Sequence, residues 1–427
     1  MMQTEILQKP LKGCPNFPRE IKLNNHNDSS LMIDDTDTGN DTDRRINPTT
    51  NGPVSKDVIT DEMVRNKAFR WCQDSIGGAW LHLTSEKDLQ IEPVGGGMSN
   101  YLYLITLPKG KHSSRGEPEQ VLLRIYGQIS KSTLDFLVHN SVVFALLAER
   151  KLGPKPYGMY HDGRIEEFIK AKPLKPEDLC KPEVMVMVAE KLAQFHSLDM
   201  PLCKKPRWFK SLVRGWIRDI QNNLDSNSVT MSRLQEKCPL FNMDTEFNEL
   251  LKMANDLNCP IVFCHNDLQG GNILLADKAT PQTPRMTIID WEYGHYNYRG
   301  FDLGNHFNEW MFDYTMTDKP GFSFVCSNFP SKEKQFQFFK TYLKASGKEE
   351  ITPTDLVNIY IETNTLALHS HFTWGVWAMV QAQTSSIDFD YSIPGPPIDY
   401  SEYALTRFDS YFKLKKCLPQ IIAEANS

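Results

Sequence analysis

One stretch limits what this chain can fold into more than any other: VFCHNDLQGGNILL at 262–275, followed after a short spacer by TIID at 287–290. Two short β-rich runs border three polar groups: Asp267, Asn272 five residues later, and Asp290 at the end of the second run. If the runs lie side by side, an acid, an amide and a second acid meet at one place. Such a set suits phosphoryl transfer. One carboxylate reaches an acceptor hydroxyl as base or orienting group, while the amide and the second carboxylate hold a hard cation against phosphate oxygens.

The order His, one residue, Asp, four residues, Asn, then a turn and an apolar strand ending in Asp, resembles the catalytic and metal-binding loops of protein-kinase-like phosphotransferases. A lone HxD recurs by chance; the whole arrangement is specific. His265 is expected to brace the loop rather than to move protons. After Asp290 there is no DFG and no APE-type segment. DWEYGHYNYRGFDLGNHFNEWMFDY (290–314) concentrates acids and aromatics instead, among them Glu292, Tyr293, Asp302, Glu309 and Tyr314. Asp302 is expected to brace the catalytic loop from below. This segment resembles the choline and ethanolamine kinase family along nearly its whole length, and the resemblance extends over roughly residues 90 to 415.

Composition sets the outer bounds. At 427 residues, 40% apolar and 11% aromatic, the chain can build two or three domains, or one large two-lobed enzyme. Its net charge of −6 shows no basic excess of the kind that marks a nucleic-acid binder. Nine scattered cysteines without a CxxC pair argue against a disulfide framework or zinc site and for a reducing, cytoplasmic setting. No secretory signal is visible. The apolar stretch 364–383 includes His369, His371, Gln381 and Gln383, so it reads as a buried helix rather than a membrane span.

Residues 1–55, rich in Asn, Asp, Thr and Pro, read as a disordered polar tail. From Asp61 a helical period sets in, with Met63, Val64, Ala68, Trp71 and Cys72 as its apolar set. IEPVGGGMSNYLYLITLP then flanks Gly95, Gly96 and Gly97 with strands, a turn able to bring backbone N–H groups to a phosphate. In VLLRIYG, Arg124 takes the third-strand position where kinases carry a phosphate-binding lysine; a plain exposed strand arginine is the competing reading. The helix ending before Gly153–Pro154 ought to carry an acidic partner for Arg124, yet it offers Asn140 near the expected place and Glu149 at its far end, so the partner stays unassigned. PEVMVMVAEKLAQFHSL is a core helix with a structural His196. Residues 207–257 read as amphipathic helices without recognisable chemistry, an insertion expected to shape the substrate side. Thr352-Pro353-Thr354-Asp355 caps a helix over about 353–383 that carries Trp374 and Trp377 on one face, and a later helix carries Tyr403 and Arg407. By spacing alone these aromatics read as core.

The resemblance implies more. It predicts an α+β, protein-kinase-like fold with a small β-rich N-lobe (56–170) and a large, mainly helical C-lobe (171–427). ATP would be held by Gly95, Gly96, Gly97, Ser99, Asn100, Arg124, the hinge residues Glu167, Phe168 and Ile169, and Gln269. Catalysis would rest on Asp267, Asn272 and Asp290, with Mg2+ on Asn272 and Asp290. Choline would sit among Tyr293, Glu309, Tyr314, Trp374, Trp377 and Tyr403, since ring faces and a nearby acid suit a quaternary ammonium. The activity implied is ATP-dependent formation of phosphocholine, the first step of the CDP-choline route to phosphatidylcholine, by a homodimer. Rival readings are an ethanolamine or dual-specificity kinase, an aminoglycoside-type phosphotransferase, and a catalytically dead, kinase-shaped binding module.

Overall fold

The computed structural model describes residues 60–94, 100–113, 115–127, 134–223, 228–280, 284–316, 318–384 and 398–425. All of them belong to one compact unit, Lys56–Ser427. The tail read at 1–55, the triple glycine Gly95 to Gly97 and Ser99 lie outside the described residues.

Helix α1 (Asp61–Ser75) starts where Thr60 accepts a hydrogen bond from the Met63 N–H, with Asp61 and Glu62 in the first turn. Val64, Ala68, Trp71 and Cys72 form its buried stripe. Met63, expected in that set, is 41% exposed, because the helical period turns it away from the stripe. Strands β1 (Gln90–Pro93), β2 (Asn100–Thr106) and β3 (Gln120–Tyr126) precede helix α2 (Leu134–Glu149), and β4 (Pro156–Tyr160) and β5 (Gly163–Glu167) follow it. The five form an antiparallel sheet in the order β1-β2-β3-β5-β4. Tyr103, Ile105, Leu123, Ile125 and Ile165 pack on Trp71 and Trp80 on one face. Leu102, Arg124 and Arg164 stand in register on the other. The two-residue period of a strand puts Glu166 on that second face as well.

A larger, mainly helical body follows. Its elements are β6 (Lys172–Pro173), α3 (Pro176–Leu179), α4 (Pro182–His196), α5 (Arg207–Asn222), α6 (Ser228–Lys237), α7 (Met243–Asp256), β7 (Ile261–Cys264), β8 (Ile273–Leu275), β9 (Met286–Ile288), β10 (His295–Tyr298) and α8 (Arg299–Glu309). The hairpin β11 (Phe312–Asp313) and β12 (Ser323–Phe324), then α9 (Lys332–Ala345), α10 (Pro353–Thr384) and α11 (Tyr400–Ala425), complete it. Two short ladders aim the polar groups: β7 pairs with β10, and β8 lies between β6 and β9. The catalytic loop runs from β7 to β8 and the Asp290 loop from β9 to β10, so each loop starts beside the strand at which the other ends. The expected α+β architecture, a small β-rich lobe and a large helical one, is the one the chain adopts.

Helix α10 is the axle of the larger body. Its start has the reciprocal cap that TPTD predicts: Thr352 accepts from the Asp355 N–H at 3.2 Å, and Asp355 accepts from the Thr352 N–H at 2.9 Å. It is buried on nearly every side, with His369 and His371 inside, as expected for 364–383. Among the described residues no helix is long and apolar enough to cross a membrane. Helix α8 crosses α10 at backbone contact: a Cβ on Gly304 would lie 2.7 Å from both the Thr363 carbonyl oxygen and the Ala367 nitrogen. Only glycine fits there, and the close approach fixes where α8 delivers Asp302 and Glu309.

Candidate active site

The catalytic loop leaves β7 through His265, Asn266 and Asp267. Asn266 adopts φ +67°, a left-handed conformation that asparagine tolerates better than most residues. Asp302, wholly buried on α8, holds this turn. One carboxylate oxygen accepts the His265 N–H at 2.7 Å and the other accepts the Asn266 N–H at 2.7 Å. His196 adds Nε2 at 3.0 Å and is itself positioned by the Tyr342 hydroxyl at 2.8 Å. Burial alone would raise the Asp302 carboxyl, but His196 and the loop donors hold it below the usual carboxylate range. The bracing roles expected of Asp302 and His265 are thus seen directly, and the structural His196 supports Asp302 from behind. His265 Nδ1 accepts the Asp267 N–H at 3.2 Å, so Nε2 bears the proton and donates to the Ile289 carbonyl at 2.8 Å. Burial keeps this imidazole neutral.

Asn272 closes the turn. Its side-chain nitrogen donates to the Asp267 carbonyl at 2.8 Å and to the Asp267 carboxylate at 3.1 Å. That leaves the amide oxygen as the atom to offer a cation. The Asn272 carbonyl accepts the Ile289 N–H at 2.9 Å, so the two loops are bonded together immediately before Asp290. Asp290 sits at φ +63°.

Arg124 joins the lobes. Its guanidinium reaches Asp290 at 3.3 Å and Glu166 at 3.4 Å. Glu166 also pairs with Arg164, which stands directly opposite Arg124 in the sheet. The partner sought on α2 is therefore on β5. Asn100 lies near the same acids, donating to Glu292 at 3.3 Å and accepting the Gly127 N–H at 3.3 Å. At the hinge, Glu167 departs from expectation: its N–H bonds to the Lys155 carbonyl at 2.8 Å, and its carboxylate accepts the Lys155 N–H at 3.0 Å. Its N–H is engaged, so only its carbonyl remains to meet an adenine. Phe168 and Ile169 follow half-buried.

One pocket is lined by Asp267, Gln269, Asn272, Asp290, Glu292, Tyr293, Tyr314, Trp374, Trp377 and Tyr403. It unites both halves of the sequence reading. Burial pushes the Asp267 carboxyl well above its ordinary range, and repulsion from Glu309, Asp290 and Glu292 adds to this; Arg407 opposes it. Such a crowd of hard oxygen donors, repelling one another, fits a divalent cation at Asp290 and Asn272, with Glu292 adjacent. The aromatic end is built edge to face: Tyr293 to Trp374 at 5.4 Å and 88°, Trp374 to Trp377 at 5.5 Å and 79°. Trp374 is oriented by its indole N–H, which donates to Asn305 at 2.8 Å.

Glu309 is placed differently from the expected wall residue. It is buried behind the rings, in an ion pair with Arg407, and accepts the Tyr314 hydroxyl at 2.8 Å. Sequence reasoning gave no role to Glu166, Glu292 or Arg407. The alternation Arg164-x-Glu166 and the spacing Tyr403-xxx-Arg407 were the available signals. Helix α5, from the segment expected to shape the substrate side, reaches the site through its rings: Trp208 stacks on His295 at 3.7 Å, and Trp216 lies edge-on to Tyr293 at 6.4 Å. The segment 207–257 therefore supports the back of the pocket.

Comparison with known proteins agrees with this architecture. Residues 91–412 match the family model described as Choline/ethanolamine kinase. A mouse choline/ethanolamine kinase is 39% identical over 356 residues, 82% of this chain and 86% of the relative. Mouse choline kinase alpha is 36% identical over 389 residues, 85% of this chain and 83% of the relative. The solved choline kinase of Cryptosporidium parvum shares the two-lobed, protein-kinase-like fold, with a TM-score of 0.64 at 24% identity over 84% of this chain and 97% of that one. The chain belongs to the choline/ethanolamine kinase family.

Proposed function

We propose that this kinase transfers the γ-phosphoryl group of ATP to the hydroxyl of choline, giving phosphocholine and ADP, and so opens the CDP-choline route to phosphatidylcholine. The observation that carries the choline reading is the single pocket with Asp267 at one end and five aromatic side chains, Tyr293, Tyr314, Trp374, Trp377 and Tyr403, at the other. A trimethylammonium donates no hydrogen bond, so ring faces hold it, each contributing about 0.5–2 kcal/mol. A primary ammonium needs acceptors that such rings do not supply.

In this reading Asp267 orients the hydroxyl and takes its proton as the oxygen attacks phosphorus in line. Asn272 fixes the Asp267 carboxylate through its side-chain N–H. Asp290 and Asn272 hold Mg2+, which when bound neutralises phosphate charge. Arg124, kept in the cleft by Glu166, turns its guanidinium to the phosphates. Catalysis is then chiefly positioning and charge neutralisation. The glycine turn, Ser99, Asn100, Gln269 and the hinge at Glu167, Phe168 and Ile169 complete the ATP site in the proposal. A cytoplasmic homodimer is part of it too; the eight described cysteines are all free thiols, which fits a reducing compartment.

The acids at the pocket's inner end favour a second, weaker reading, in which ethanolamine is also accepted. A coupled assay of ADP release with choline and ethanolamine side by side tests both. A higher kcat/KM for choline is expected; a clear preference for ethanolamine would overturn the choline assignment.

A further inference from the structure

We propose that Arg407 sets amine selectivity: from behind the pocket it occupies the oxygens of Glu309, Tyr314 and Tyr403, leaving a wall that suits a trimethylammonium and denies acceptors to a primary ammonium. The inference rests on the choline reading above and assigns its selectivity to a residue outside the pocket lining.

Tyr403 and Arg407 are four apart on α11, hence on one helical face. Arg407 is fully buried and lies 4.0 Å over the Phe312 ring. Its Nε and Nη2 donate to the Tyr403 oxygen at 3.0 and 2.6 Å. Nη2 also donates to the Tyr314 oxygen at 3.2 Å and pairs with Glu309. The two phenol oxygens are 2.9 Å apart, and Tyr314 donates its proton to Glu309 at 2.8 Å.

A phenol offers one proton and two lone pairs. Tyr403 receives two bonds from Arg407 and gives its proton to Tyr314. Tyr314 receives from Tyr403 and Arg407 and gives its proton to Glu309. Nη2 has two protons for three acceptors, so its longest contact, 3.2 Å to Tyr314, is a shared one; Tyr403 is saturated, Tyr314 is engaged as both donor and acceptor, and both Glu309 oxygens are engaged. The rings therefore show carbon to the pocket while their polar ends face the guanidinium. An ethanolammonium brought to this wall loses water and gains no acceptor; a choline head group loses little, because it has no N–H to satisfy.

The test compares Arg407→Met with the double variant Arg407→Met/Glu309→Leu. The single change frees a carboxylate and two phenol oxygens while an apolar stem keeps the inner part of the Arg407 site filled, so the choline-to-ethanolamine ratio of kcat/KM should fall about tenfold. The double change removes the freed carboxylate and its charge, and the ratio should return to the wild-type value or exceed it. The KM for ATP should move in neither.

If Arg407→Met does not fold, Arg407→Lys retains the charge without the fork, and a smaller fall in the ratio is expected. An unchanged ratio in the folded single variant, or an equal fall in single and double variants, overturns the proposal. A wild-type enzyme that phosphorylates no choline overturns the functional reading instead, and the two failures are told apart by the wild-type assay alone.

Discussion

Replacing Asp302 by Asn changes one buried atom from acceptor to donor and leaves the shape intact. In the wild type, the two oxygens take the His265 and Asn266 N–H groups at 2.7 Å each, and His196 at 3.0 Å. His196 can answer the new amide by changing tautomer, because the Tyr342 hydroxyl can donate as well as accept. The backbone cannot change. Whichever way round the amide sits, one loop N–H faces a donor in a dry interior. A hydrogen bond to a charged group contributes about 1.5–3 kcal/mol, and an unsatisfied buried donor costs about as much. We expect Asp302→Asn to lose about 2–3 kcal/mol of stability. The left-handed turn at Asn266 should relax, and a displacement of Asp267 on the order of 1 Å costs about 10²-fold in kcat. Urea unfolding with an unchanged m-value measures the first effect; turnover at saturating substrates measures the second. The carboxyl is held below its unfolded value, so its contribution is complete above the ordinary carboxylate range and is lost as pH falls through the folded pKa. The stability gap between wild type and variant should therefore narrow in acid. Wild-type stability and turnover in Asp302→Asn would refute the bracing argument.

Three further outcomes are expected. Asp267→Ala should lower kcat by several orders of magnitude while the KM for ATP stays within a few-fold, and the wild-type acid limb should lie above the ordinary carboxylate range, as the raised Asp267 carboxyl requires; an acid limb near pH 4 would contradict that field. Trp377→Ala should raise the choline KM by about tenfold or more and leave the ATP KM alone, whereas equal rises would place the ring in the core. Gly304→Ala should destabilise by about 1–3 kcal/mol, since its methyl group meets backbone atoms of α10 at 2.7 Å that no rotamer change can move; a thermal midpoint equal to wild type would show that the helices separate freely.

The parts of the site that local chain geometry dictates were legible in the sequence. Asp267, Asn272 and Asp290 sit on one continuous stretch, and their spacing is their geometry. Trp374 and Trp377 share a helical face for the same reason, although spacing alone could not say whether that face met a core or a ligand. What could not be read depended on contacts across large separations. Arg124 meets Glu166 because β3 and β5 are neighbours in the sheet, and strand order is not written locally. Glu309 looked like a pocket acid until its ion pair with Arg407, 98 residues away, put it behind the rings. Met63 was counted with the core because an apolar residue next to the stripe cannot be told from one within it. Glu167 looked free for adenine because its bonds to Lys155 arise only when the start of β4 folds back beside the end of β5.

The placing of Glu166 bears on how such an enzyme can be controlled. Where the phosphate-binding cation of a kinase takes its carboxylate from a helix, a swing of that helix breaks the pair and stops turnover. Here both members lie on adjacent strands of one antiparallel sheet. Rotating α2 leaves the Arg124–Glu166 pair intact. The cation is built in as a permanently armed part of the sheet, with no helix-borne clutch. In the proposed mechanism, control by swinging a helix-borne carboxylate away from this cation has no counterpart here.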